Sequence, residues 1–206
     1  MAIPSSPSDR YTHLAALLRA WNQKINVVSR QDVEALEVRH IQHSLALAEV
    51  VAFEAGARVL DVGTGGGLPG LPLAIRFPDV EFHLVDSVGK KIRVVEAIAR
   101  ELGLVNVTAT QARAETLTGQ YEYAVTRAVA SLGEVWSWVR PRLVHSADPT
   151  LAAQQGLYCL KGGDLAAEIA ASRLHHVRLT PLPEFYPDEP FFATKAVVFA
   201  PLVGNK

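Results

Sequence analysis

Five glycines fall within eight residues of the segment Asp61-Val62-Gly63-Thr64-Gly65-Gly66-Gly67-Leu68-Pro69-Gly70. An apolar run, Val59-Leu60, leads into it, and Pro69 stands where a first helical turn would begin. A strand ending in such a loop leaves backbone amides that can point at a ligand. The spacing Gly65-x-Gly67-x-x-Gly70 also satisfies the dinucleotide fingerprint, so the glycines alone leave the ligand open. Two carboxylates bear on the choice. Asp61, two residues before the first glycine, would repel a pyrophosphate and suits a ligand with an ammonium group and a sulfonium, namely S-adenosyl-L-methionine. Asp86, closing the run Phe82-His83-Leu84-Val85, can accept both ribose hydroxyls of an adenosine, a need that nicotinamide cofactors share. S-adenosylmethionine is the expected cofactor, a dinucleotide the alternative, and a tight turn with no ligand the least favoured reading. A third contact is expected at Arg113-Ala114-Glu115, where a backbone amide and a short polar side chain could read an adenine edge.

Methyl transfer is an in-line displacement at carbon, so alignment and exclusion of water matter more than proton removal. Exocyclic-amine methylases carry an Asp/Asn-Pro-Pro-Tyr/Phe segment after the fourth strand, and this chain has Ala124-Val125-Thr126-Arg127-Ala128 there. Cys159, inside Leu157-Tyr158-Cys159-Leu160, reads as a buried structural thiol rather than a nucleophile. Lys161 lacks the charged partners of a ribose methylase. What remains is an acceptor with a free lone pair, of which guanine N7 is one. Arg127 is then expected to hold guanine O6, a phosphate or the cofactor carboxylate, with a surface ion pair as the bland alternative.

These residues need a sheet to carry them. From residue 57, strand-like runs at 58–62, 81–85, 106–109 and 121–125 alternate with helical runs at 68–77 and 90–102. A helix at 132–139, a polar loop at 145–154, a buried strand at 156–160 and a helix at 164–173 follow. Two late runs, 174–182 and 194–201, flank a Pro-rich turn and read as a hairpin. The fold class expected is α/β, Rossmann-like: a mostly parallel sheet with a late antiparallel hairpin, the layout of class I S-adenosylmethionine-dependent methyltransferases. Residues 1–55 read as an N-terminal helical extension and 56–206 as the methyltransferase domain. Ser8 is the expected cap of a first helix with Tyr11, Leu14, Leu18, Trp21 and Ile25 on one stripe. Ser29 and Asp32 look like a shortened capping box opening a second helix, on which Glu37 and His40 share the apolar face.

The composition narrows the class. With 206 residues, 49% apolar and 20% charged, the chain is globular. Charges or glycines break every apolar run before about 18 residues, which excludes a membrane helix. The first ten residues hold no apolar core of a signal peptide, so a cytoplasmic location is expected. One cysteine excludes an internal disulfide and a cysteine-based zinc cluster; no metal is expected, and a monomer is. A net charge of −1 argues against wholesale attraction to nucleic acid, so a basic patch must be local. Lys90, Lys91 and Arg93, with Lys24, Arg30 and Arg39, are the candidates, against a merely solvated helix start.

The ordered motifs together resemble one family, the bacterial small-subunit ribosomal RNA guanine-N7 methyltransferases, also called RsmG or glucose-inhibited division protein B. They are Trp21-Asn22-Gln23-Lys24-Ile25-Asn26, Arg39-His40-Ile41-Gln42-His43-Ser44, the glycine segment, Leu84-Val85-Asp86-Ser87-Val88-Gly89-Lys90-Lys91, Thr126-Arg127-Ala128 and Leu160-Lys161-Gly162. The resemblance spans nearly the whole chain. It implies cofactor contacts at Gly63, Leu68, Ala114, Glu115 and Arg127 with Asp86 beside them, and Gly65 and Gly67 in the same loop. It also implies a role in RNA binding or the reaction for Arg39, His40, Lys161 and Arg127. The acceptor it implies is guanine N7 in 16S ribosomal RNA, naked or in a small-subunit assembly particle. Gly66 and Thr126 stand where the family more often has Pro and Ser, and Glu37 where it is commonly apolar. Two rivals remain from the residues alone: a methyltransferase of a small molecule, and a nucleotide-dependent oxidoreductase or non-catalytic nucleotide-binding module.

Overall fold

A computed structural model describes residues 6–29 and 32–205. Helix α1 (Pro7–Asn22) is capped by Ser6, whose hydroxyl accepts from the amide of Asp9 at 3.1 Å. The cap expected at Ser8 therefore moves two residues upstream, because Pro7 has no amide to satisfy and suits the first helical turn. Leu14, Ala15 and Leu18 are buried, with Tyr11, Trp21 and Ile25 packed at the margin, as the spacing predicts.

The second helix, α2 (37–49), is not regular. Glu37–Gln42 is wound as a π-helix, His43–Leu45 as α and Ala46–Glu49 as 3-10. It starts later than the Ser29–Asp32 pairing predicts. Asp32 does not cap it; its carboxylate pairs instead with Arg39 at 2.6 Å. Arg30 lies outside the described residues.

The sheet has seven strands in the order β3-β2-β1-β4-β5-β7-β6. Strands β1 (Arg58–Val62), β2 (Glu81–Asp86), β3 (Val107–Gln111), β4 (Tyr123–Arg127) and β5 (Gly156–Gly162) are parallel. Strand β7 (Lys195–Pro201) runs antiparallel between β5 and β6 (Arg178–Pro181). The late hairpin is present, and a Leu182–Glu184 turn with a second 3-10 segment, Pro190–Thr194, joins its strands.

Side chains alternate faces along each strand, and both faces are buried over the central strands, while β3 and β6 at the margins are partly exposed. Val59, Tyr123, Val125, Tyr158, Leu160, Val197 and Phe199 face a core shared with α1, α2, α3 (Gly70–Arg76) and α4 (Gly89–Glu101). Leu60, Val62, Ala124, Leu157, Cys159, Val198 and Ala200 face a second core under α5 (Leu132–Val139) and α7 (Ala166–Ser172). Cys159 is the buried thiol expected, and burial pushes its pKa up to about 12. The polar loop at 145–154 contains one short helix, α6 (Pro149–Ala152), capped by the Asp148 carboxylate.

Leu14, Leu18, Leu36 and Ile41 lie in the same core as Leu71, Ile75 and Val95, so the helical extension packs as an integral layer on the sheet. Glu37 is accommodated by a bidentate pair with Arg19, at 2.7 and 2.6 Å, that ties α2 to α1.

Candidate functional site

Parallel pairing brings the carboxyl ends of β1, β2, β3 and β4 to one edge. There a cavity of about 350 Å³ opens, lined by Gly63, Asp86, Ala114, Glu115, Val129 and Trp138 among others. Residues from four separate sequence motifs thus meet at one concave site, the arrangement expected beyond the carboxyl ends of a parallel sheet.

The loop after β1 makes its turn through left-handed glycines. Gly63 has φ +67°, and a Cβ there would lie 2.5 Å from Val129 Cγ2. The residue must therefore be glycine, and its backbone forms a wall of the cavity. Gly67, at φ +93°, is closed off by Leu71 at 2.2 Å from a would-be Cβ, so it shapes the loop and does not line the cavity. Gly65 and Leu68 are likewise not among the lining residues.

Asp86 holds the loop to the next strand. Its Oδ2 accepts from the Gly65 amide at 3.0 Å and its Oδ1 from the Val88 amide at 2.9 Å, and Lys91 Nζ lies 3.6 Å away. Each carboxylate oxygen can accept a further hydrogen bond, so Asp86 can still meet a pair of hydroxyls in the cavity that it lines.

Asp61 stands behind the loop, fully buried. Its Oδ2 accepts from Thr64 Oγ1 at 2.6 Å and from the Gly70 amide at 2.9 Å. Gly70 is the first residue of α3, so the chain's own carboxylate occupies the helix terminus where a dinucleotide would place its pyrophosphate. Burial raises the Asp61 pKa to about 7, and its Oδ1 has no hydrogen-bond partner.

Arg127 ends β4. It donates to Nδ1 of His40 at 2.7 Å and to the carbonyl oxygen of Arg39 at 3.3 Å, which draws α2 onto the sheet edge. His40 does not pair with Glu37; its Nε2 faces Asp32 at 3.9 Å. Burial and the neighbouring Arg127 hold the His40 pKa down to about 4, so the ring is neutral. Burial lowers Arg127 toward about 10, with Asp61 and Asp32 opposing the shift, so it stays cationic at neutral pH. Lys161, in β5, is engaged by Glu168 at 2.6 Å and the Ala130 carbonyl at 2.8 Å, and does not line the cavity.

Two features of the site have no signal in the motifs. Trp138, on α5, forms part of the wall. Ala128 takes φ +53°, a left-handed conformation that costs a non-glycine residue about 1 kcal/mol, and it lines the cavity beside Val129. A non-glycine residue after a strand and before the Ser131–Glu134 capping box of α5 offers no sequence hint of that strain.

The chain matches the GidB family, described as rRNA small subunit methyltransferase G, over residues 9–178. It is 43% identical over 201 residues to the ribosomal RNA small subunit methyltransferase G of Christiangramia forsetii, covering 98% of this chain and 93% of that one. To the protein of the same description from Cytophaga hutchinsonii it is 45% identical over 188 residues, covering 91% and 89%. Among solved structures it resembles a SAM dependent methyltransferase from Aquifex aeolicus (TM-score 0.59, 13% identity, 82% and 93% covered). A precorrin-6y C5,15-methyltransferase from Geobacter metallireducens is similar (TM-score 0.57, 12% identity, 85% and 90% covered). At those identities the structural likeness speaks for the fold.

Proposed function

Because this chain belongs to the GidB family of small-subunit rRNA methyltransferases, we propose that it uses S-adenosylmethionine to methylate N7 of a guanine in 16S ribosomal RNA. The observation that carries the cofactor choice is the Asp61–Gly70 hydrogen bond, which fills the α3 terminus with a carboxylate and leaves no place there for a pyrophosphate. A cavity of about 350 Å³ suits one nucleoside with an amino-acid tail.

In this reading Asp86 accepts the ribose hydroxyls, the backbone at Gly63 approaches the amino-acid part while Gly65 and Gly67 shape the loop behind it, and Ala114 and Glu115 meet the adenine. Leu68 and Asp61 support the loop from behind. When bound, S-adenosylmethionine supplies an electrophilic methyl carbon, which the N7 lone pair takes in line as the C–S bonding pair returns to sulfur.

No proton leaves guanine in that step. The candidate proton acceptors fit this: His40 Nδ1 is taken by Arg127, Lys161 is paired, and Cys159 lies in the core beneath α5. Arg127, fixed by His40, keeps donors for guanine O6 or a phosphate, while Arg39 on the exposed side of α2 reaches the RNA backbone and Lys161 orders the loop that carries Ala130.

The test is to incubate the purified protein with S-adenosylmethionine and small-subunit particles that lack the modification, then digest the RNA to nucleosides. 7-Methylguanosine is expected. Methylation of another base, of a small molecule only, or calorimetric binding of NADH in place of S-adenosylmethionine would overturn the proposal.

A further inference from the structure

At the opposite edge of the sheet lies a larger groove, about 980 Å³, with a different character. It follows the end of β7, which pairs at Pro201 with Gly156, the first residue of β5, and so opens at the amino ends of the parallel strands. Arg140, His145, Arg173 and His175 line it, and no carboxylate is among its lining residues. Outside the groove Arg19, Arg39, Arg58, Lys91 and Lys161 have an acidic partner, while Lys24, Arg113 and Lys195, for example, form no ion pair among the described residues. Among the described residues neither Arg140 nor Arg173 has one. The nearest acid in sequence to His145, Asp148, is occupied in capping α6.

The groove is built rather than incidental. Asn205 is buried; its side chain accepts from the His175 amide at 2.6 Å and donates to the carbonyls of His175 and Pro201 at 2.8 and 2.9 Å. Its own carbonyl accepts from Arg140 Nε at 3.1 Å, which orients that guanidinium and leaves its terminal nitrogens without a bond among the described residues. Arg173 and His176 both take φ +57°, so the turn between α7 and β6 is held in a conformation that non-glycine residues seldom adopt. At Arg173 this conformation is the left-handed cap that ends α7, and it turns the chain so that the side chain stands at the groove.

We infer that this groove binds phosphate groups of the RNA backbone, at a second contact remote from the methylated base. The inference rests on the RNA-acceptor reading above and deepens it. Two guanidinium groups suit phosphodiesters through paired N–H donors, and the neighbouring imidazoles add donors. Strand β5, seven residues long, separates the two edges by roughly 20 Å, a span that folded RNA readily bridges.

The test uses the full chain and an unmodified 16S rRNA transcript in filter binding across a series of KCl concentrations. Arg140→Gln/Arg173→Gln should weaken binding roughly tenfold and lower the slope of log K against log salt by about two, with calorimetric affinity for S-adenosylmethionine unchanged. Arg173→Gln alone, whose side chain makes no bond among the described residues, should lower the slope by about one. Phenylglyoxal labelling of Arg173, read by mass spectrometry, should be slowed by the transcript. Equal affinity and slope in variants and wild type would overturn the inference and leave the acceptor reading standing. Protection by inorganic pyrophosphate but not by RNA would also overturn it, making the groove a free-anion site. If the wild type binds neither the transcript nor small-subunit particles that lack the modification, the acceptor reading falls and takes the inference with it.

Discussion

Arg127 donates to Nδ1 of His40 at 2.7 Å across 87 residues of sequence, joining the last residue of β4 to the appended helix. A guanidinium has only donors, so the bond fixes the tautomer: Nδ1 accepts and Nε2 carries the proton, facing Asp32. In the proposed reading the acceptor side of the site therefore depends on α2 being docked against β4.

Asp86→Ala should weaken S-adenosylmethionine binding by roughly 1–3 kcal/mol, because it removes the ribose acceptor and frees the Gly65 and Val88 amides together. Isothermal calorimetry measures this directly. An unchanged dissociation constant would remove Asp86 from the site.

Gly63→Ala should destabilise the loop by at least about 1 kcal/mol through its left-handed φ alone, and it adds a clash with Val129. Val129→Ala in the same chain should relieve the clash and recover part of the cofactor affinity, without restoring it fully. Complete recovery would mean that the backbone conformation at Gly63 is unimportant.

The single-turnover rate at saturating RNA should be nearly flat between about pH 6.5 and 9. His40 titrates near 4, Arg127 remains charged, Asp61 near 7 lies behind the loop away from the reacting atoms, and no base takes a proton in the chemical step. A limb of unit slope in that range would point to a different acceptor atom.

Stability should carry two opposed pH dependences. Asp61 keeps a proton in the fold up to about pH 7 that the unfolded chain has lost above 3.8, so its contribution to stability falls as pH rises between those values. His40 stays neutral in the fold down to about 4 while the unfolded ring protonates below 6.5, so its contribution falls as pH drops through that window. In urea melts, Asp61→Asn should therefore gain on wild type between pH 5 and 8, and His40→Gln should gain on going from 8 to 5, each by roughly 2 kcal/mol. Parallel curves for either variant would refute its assignment.

The glycine segment, Asp86 and the Ala114–Glu115 turn were legible because each is a local motif at a strand end, and strand ends are gathered by any parallel sheet. Trp138 was not, since only the sheet order sets α5 against the cavity rim. Glu37 and His40, expected on one face of a regular helix, do not meet, and the reason is local. The 37–42 turn is π-wound, which rotates side chains away from the positions that a 100° wheel assigns, and Glu37 goes to Arg19 instead. Asp61 was expected to face the ligand's ammonium group; it lies instead buried behind the loop and bonded to the Gly70 amide, a position that its place two residues before the first glycine does not reveal.

The insertion of β7 between β5 and β6 has a consequence for biosynthesis. The five parallel strands emerge from the ribosome first, and β5 then presents an unpaired apolar edge, Leu157 to Leu160, until residues 195–201 have been made. Thirty-two residues separate the end of β5 from the start of β7, at about 5–20 residues per second a delay of roughly two to six seconds. During that interval the nascent chain is open to edge-to-edge association, and a chaperone holding β5 would protect the step that closes the sheet.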